Sequence, residues 1–202
     1  MKKYQLLKAH GEPDFNLIPV IDINERYLET PDDIGANAQI CYGEDSFFVH
    51  LWTAERDIRA EENGPIGYPC FDSCLEFFIC PMEDDSRYLN FEININGCVF
   101  CGFGSGDADL IRLVPEGRRF EDILSYRINR TEVGWEIFYK VPYDLIRQFF
   151  PEFKVYTGKQ MRANCCKCAD FSTPPHYLSW SKISEERFSF HRPECFGVME
   201  FM

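Results

Sequence analysis

Apolar and polar residues alternate with a period of two along most of this chain. In Leu75–Cys80, Leu75, Phe77 and Ile79 form one row, while Glu76, Phe78 and Cys80 form the other, which Cys74 extends. In Arg87–Ile95, Leu89, Phe91, Ile93 and Ile95 form an apolar row, and Tyr88, Asn90, Glu92 and Asn94 form a polar one. Successive side chains of a strand point to opposite faces, so each segment predicts a strand with one core face. Asn96-Gly97 separates the second run from Cys98–Phe103. Asn-Gly between two such runs predicts an antiparallel hairpin in which both turn residues adopt positive φ. Further strands are predicted at Ala38–Tyr42 and Ser46–Thr53, joined through Gly43-Glu44-Asp45, and at Leu124–Thr131 and Trp135–Val141 around Gly134. Lys154–Thr157, Met161–Cys166, Tyr177–Trp180 and Phe196–Phe201 complete the set. Only Pro142–Phe150 has helical spacing, with Pro in the first turn and Pro151 after its end. Glu55–Gly67 and Gly104–Arg119 read as long surface connections. Many strands and one short helix predict an all-β fold, an antiparallel, jelly-roll-like β-sandwich.

The length of 202 residues fits a single domain over 1–202 with a substantial core. Nineteen Phe residues make that core aromatic-rich. A net charge of −12 argues against a nucleic-acid or anionic-membrane partner, and no apolar run is long enough to span a bilayer. The opening MKKYQLLKAHGEPDF lacks an apolar signal core, which sets the expectation of a cytoplasmic protein. The ten cysteines lie largely within apolar strands and read as reduced, buried side chains, so few or no disulfides are expected.

The polar row holds the candidate chemistry. Tyr88, Asn90, Glu92 and Asn94, beside Glu76, both donate and accept hydrogen bonds, as a sugar hydroxyl requires. Arg162 and Asn164 share parity on a later strand. Trp180 is a candidate aromatic platform, with Trp52 a second, and His176 and His191 are candidate rim donors. Glu76 and Glu92 would also suit an acid–base pair for glycoside hydrolysis, a weaker reading because no catalytic motif accompanies them. Cys98-x-x-Cys101 and Cys165-x-x-Cys168 have zinc-like spacing. However, Val99-Phe100 continues a strand and sends Cys98 and Cys101 to opposite faces, so no four-cysteine zinc site is expected. Cys165, Cys166 and Cys168 with His176 remain an alternative set. Asp107, Asp109 and Glu83–Asp85 offer hard oxygen ligands without EF-hand spacing.

DSCLEFF, YLNFEININGCVF, MRANCCKCAD, PHYLSWSKI and FHRPECFGVMEF occur in that order. Together they resemble the family 9 carbohydrate-binding modules, specifically a stand-alone family 9-like branch, from about Ala38 to the C-terminus. The resemblance implies a DOMON-like β-sandwich and non-catalytic binding of a mono- or oligosaccharide. It implies ligand-binding roles for Glu76, Asn90, Glu92, Arg162, Asn164 and Trp180; the residues themselves add His176, and Tyr68 as a second ring, at the rim of that face. It implies no catalytic residue and no cofactor beyond the structural calcium that some relatives hold. Relatives often carry a second stacking tryptophan ahead of D-S-x-x-E, where this chain has Tyr68-Pro69-Cys70-Phe71. The alternative function is a non-sugar ligand or protein interaction module on the same fold. The oligomeric state is not legible.

Overall fold

A computed structural model describes residues 1–184, 186 and 188–202. Its strands are β1 (Lys3–Lys8), β2 (Ile21–Ile23), β3 (Glu25–Tyr27), β4 (Gly35–Tyr42), β5 (Ser46–Ala54), β6 (Cys74–Cys80), β7 (Tyr88–Asn94), β8 (Val99–Gly104), β9 (Ile111–Leu113), β10 (Arg127–Arg130), β11 (Gly134–Pro142), β12 (Gln160–Ala169), β13 (His176–Ser179) and β14 (Gly197–Phe201). Two short helices, α1 (Phe120–Leu124) and α2 (Tyr143–Phe149), lie between them. Strands β10, β11, β5 and β4 form one layer, with β2 also on β4; β14, β12, β6, β7, β8 and β9 form the other, to which β13 and β3 are added beside β12. The layers are continuous through β1. Its first half runs parallel to β14 (Lys3 opposite Val198) and its end runs parallel to β4 (Leu7 opposite Cys41). The expected all-β sandwich is therefore what forms, with a curled sheet.

Period two explains the layers. Leu75, Phe77 and Ile79 meet Leu89, Phe91, Ile93, Met161, Ala163 and Cys165 on one inner face, opposite Ile40, Phe47, Val49, Leu51, Trp135 and Ile137 from the other layer. Burying each of these large side chains contributes roughly 1.5–3 kcal/mol. The outer face of the β6–β7–β12 layer is also covered. Phe190 and Phe196, from the chain between β13 and β14, pack there against Phe78, Tyr88 and Cys80 in a second cluster.

The hairpin expected at Asn96-Gly97 forms, with β7 and β8 antiparallel, but its turn differs from the expectation. Only Gly97 has positive φ, at 76°. Gly97 N donates to Asn94 O (3.0 Å), and Asn94 Oδ1 accepts from Asn96 N and Cys98 N. The Asn94 side chain thus organises the loop, and a single left-handed glycine suffices. Leu124–Thr131 also divides: Leu124 ends α1, Ser125 takes positive φ (48°), and the strand begins at Arg127. Lys154–Thr157 forms no strand, because it meets the sheet only through a turn in which Lys159 N donates to Tyr156 O and Gly158 N donates to Phe201 O.

Candidate functional site

The centre of the outer face is set by strand register. Glu76 of β6 lies directly opposite Glu92 of β7 and, on its other side, Cys166 of β12. The next row runs Asn164, Phe78, Asn90, Gly102 and Arg112 across β12, β6, β7, β8 and β9. Glu76 and Glu92 are only 3% and 5% exposed. Asn90 Nδ2 donates to Glu92 Oε1 (2.7 Å). The Asn90 amide occupies space that any side chain at Gly102 would take, since a Cβ there would overlap Asn90 Oδ1. Burial pushes the Glu76 carboxyl up to about 7, helped by the charge of Asp170 and opposed by a Cys168 hydrogen bond and Lys167. Burial and the neighbouring Glu76 push Glu92 up as well, against the Asn90 bond and the more distant charge of Arg112. His191 lies at the margin. Its Nδ1 is 2.8 Å from the Tyr88 hydroxyl and its Nε2 is 4.0 Å from Glu92 Oε1; burial lowers its pKa.

Two polar atoms of this face, Asn90 Oδ1 and Arg112 Nε, are buried with no hydrogen-bond partner. The terminal nitrogens of Arg112 donate to Ile66 O (2.6 Å) and Gly67 O. Its guanidinium stacks over Phe100 (4.6 Å) and Tyr68 (5.0 Å). Tyr68 stacks on Phe71 (5.2 Å), Phe71 on Phe171 (4.3 Å), and Arg59 lies 5.7 Å over Phe171. The result is an aromatic ladder bordered at each end by a guanidinium, with Tyr68 50% exposed and Phe171 exposed.

The D-S-x-x-E segment divides its work. Asp72, fully buried, is bound by Arg59, by Glu61 N and Glu62 N (2.9 and 2.7 Å) and by Asn94 Nδ2 (2.9 Å), so it holds the 59–62 loop against the sheet. Ser73 donates to Glu55 and accepts from Trp135 Nε1 (2.7 Å). Only Glu76 reaches the centre of the outer face.

The expected residues do not all converge. Glu76, Asn90, Glu92, Arg162 and Asn164 share the outer face, as parity required. Arg162, however, donates to Pro193 O (2.9 Å) and Asp85 O (3.1 Å). Asn164 exchanges two bonds with Ser181, Nδ2 to O (3.1 Å) and N to Oδ1 (2.8 Å). Both anchor the covering segment. Trp180, 5% exposed, points the other way into the inter-layer core, edge-on to Tyr4 at 6.4 Å. It shares parity with Leu178, so it is a core side chain and not a platform beside Glu76. His176 also faces inward. It joins Glu55 and Lys167 in a buried cluster: His176 Nε2 is 3.1 Å from Glu55 Oε1, and Lys167 Nζ is 3.2 Å from Glu55 Oε2 and 2.8 Å from His176 Nε2. Trp52 stacks on His50 (4.6 Å) on β5, in the opposite layer.

The acidic loops that offered hard oxygen ligands do not assemble a calcium site among the described residues. Asp109 accepts from Ser105 N, Ser105 Oγ and Gly106 N, and Asp85 is taken by Arg87. Among the described residues, the acidic loops bring no three carboxylates together. The inward turn of His176 likewise removes it from any shared site with Cys166 and Cys168.

Residues 21–201 match the model of carbohydrate-binding family 9. A protein from Bacteroides uniformis ATCC 8492, provisionally described as carbohydrate-binding, is 26% identical, with a TM-score of 0.79 over 100% of this chain and 99% of that one. A family 9 module from Caldicellulosiruptor kristjanssonii, solved with cellotriose, shares the fold at TM-score 0.70 and 12% identity, over 99% of this chain and 93% of its own. The same organism's module with glucose gives 0.70 and 11%, over 100% and 96%. No curated protein matches the chain.

Proposed function

Because the chain belongs to carbohydrate-binding family 9, we propose that it binds a small carbohydrate, without catalysis, on the outer face around Glu76, Asn90 and Glu92. The observation that carries this reading is the pair of unpartnered buried atoms, Asn90 Oδ1 and Arg112 Nε, beside two carboxylates. Buried polar atoms are rarely left unpaired. An acceptor and a donor next to acidic groups suit hydroxyls, which both give and take hydrogen bonds. The half-exposed Tyr68 supplies an apolar ring face for the C–H side of a sugar, in place of Trp180. The cellotriose and glucose complexes of the Caldicellulosiruptor module support a gluco-configured ligand.

Hydrolysis fits less well. Its two carboxyl groups act from either side of a glycosidic bond, one ionised and one protonated. Here they sit side by side on adjacent strands, and burial pushes both toward the neutral form.

Calorimetric titration with glucose and cellotriose tests the reading. Binding is expected, weakened at least tenfold by Asn90→Ala and by Tyr68→Ala in proteins that stay folded. No heat from either sugar, or full affinity in both variants, would remove the site from consideration.

A further inference from the structure

Cys74 and Cys168 face each other across the β6–β12 ladder, on the same side as Glu76. One sulfur from each and a Glu76 carboxylate oxygen all lie within 4.8 Å of one another, and all three side chains are buried. Their surroundings are acidic. Glu92 is paired with Glu76, and the charge of Asp170 acts on both. Among the described residues, the cations whose charge acts on this pair are engaged elsewhere: Lys167 with Glu55, and Arg112 with two carbonyls. A buried carboxylate without a cation is costly, and nature resolves it by neutralisation or by a metal.

The donor set selects the metal. Two sulfurs and one carboxylate are wrong for calcium, which needs six or more oxygens. Thiolates favour borderline and soft cations. Two thiolates on zinc, at about 2.3 Å each and tetrahedral, stand roughly 3.7 Å apart. The side chains therefore need to close by no more than about 1 Å, within the range of small torsional adjustment.

We propose that Cys74, Cys168 and Glu76 bind a divalent cation of the zinc class, with a fourth position beside Glu92. Binding is acid–base chemistry only: each thiol releases its proton to solvent, each thiolate donates an electron pair to the metal, and no oxidant is involved. Burial pushes the Cys74 thiol up to about 12 and raises Cys168 too, so the cation must supply the charge that stabilises both thiolates. The inference does not depend on sugar binding.

The test is a titration of the full chain, stripped with chelator, with Co²⁺ alone. A thiolate-to-cobalt charge-transfer band saturating at one cobalt per chain is expected, and stoichiometric Zn²⁺ should displace it. Cys74→Ser and Cys168→Ser should each lose at least half the band, while Cys41→Ser, in the other layer, retains it. No band in the folded wild-type protein, or a band unchanged in the two site variants, overturns the proposal. If those variants fail to fold, X-ray absorption on the zinc-treated wild type decides: two sulfur neighbours support the site, and a shell without sulfur refutes it. Tyr68→Ala should abolish sugar retention and leave the cobalt band intact, so the two readings fail separately.

Discussion

The Glu55–Lys167–His176 cluster allows a quantitative prediction. Lys167 is fully buried and Glu55 nearly so, between the two layers. Burial pushes the Glu55 carboxyl up, but Lys167, His176 and Ser73 together outweigh it and hold the group at about 2, against an ordinary 4.5. At about 1.4 kcal/mol per pKa unit, the fold favours the ionised form by about 3 kcal/mol. Removing one member of a buried ion pair generally costs roughly 3–5 kcal/mol, which agrees. Glu55→Gln keeps the shape and removes the charge. It should therefore lower the unfolding free energy by about 3 kcal/mol at pH 7, read from urea denaturation midpoints at constant slope. The folded pKa is depressed, so this stabilisation is complete above the unfolded value of about 4.5 and fades as pH falls toward about 2. The gap between wild type and variant should thus be roughly halved near pH 3. A gap below ~1 kcal/mol at pH 7, or one that stays constant down to pH 3, would show that the cluster is not held together by charge.

Three further outcomes are expected. Trp180→Ala should cost roughly 3–5 kcal/mol by opening a core cavity, whereas Trp180→Phe should retain sugar binding in calorimetry; loss of binding with full stability would place the ring at the ligand instead. Tyr68→Ala should change the melting temperature by no more than a few degrees, because the ring is half exposed, yet remove retention in affinity electrophoresis on β-glucan. Gly97→Ala should destabilise by about 1 kcal/mol or more, since its φ of 76° strains a side chain and a Cβ would press within 2.8 Å of the Tyr126 hydroxyl; denaturation at neutral pH measures it.

The sandwich was legible because Leu75–Cys80, Arg87–Ile95 and Trp135–Val141 each keep one unbroken apolar row of period two. β1 was not, because its inward pair, Tyr4 and Leu6, is short and flanked by lysines, and its partner along that stretch, β14, is distant in sequence. Glu76, Asn90 and Glu92 fall on one face by parity alone. The same rule places Trp180 and His176 inward with Leu178, but the family resemblance pointed Trp180 at the ligand, and the loop-like setting of His176 after two prolines suggested a rim donor. Arg112 and Phe171 carried no local signal, since they reach the ladder from segments that read as loops. Lys167 did carry one. A lysine in register with Met161, Ala163 and Cys165 on an apolar row calls for a buried acid, and only tertiary structure could show that Glu55 provides it.

The double role of β1 bears on how the chain is made. Its first residues pair with β14, and its last with β4. The strand that joins the layers is therefore synthesised well before β14, one of its two partners. Pairings this distant in sequence form slowly. During synthesis, Tyr4 and Leu6 must wait beside an incomplete sheet whose open edge on β12 can accept another strand. Aggregation of nascent chains, more than unfolding of the finished protein, is the hazard this topology creates in a cell.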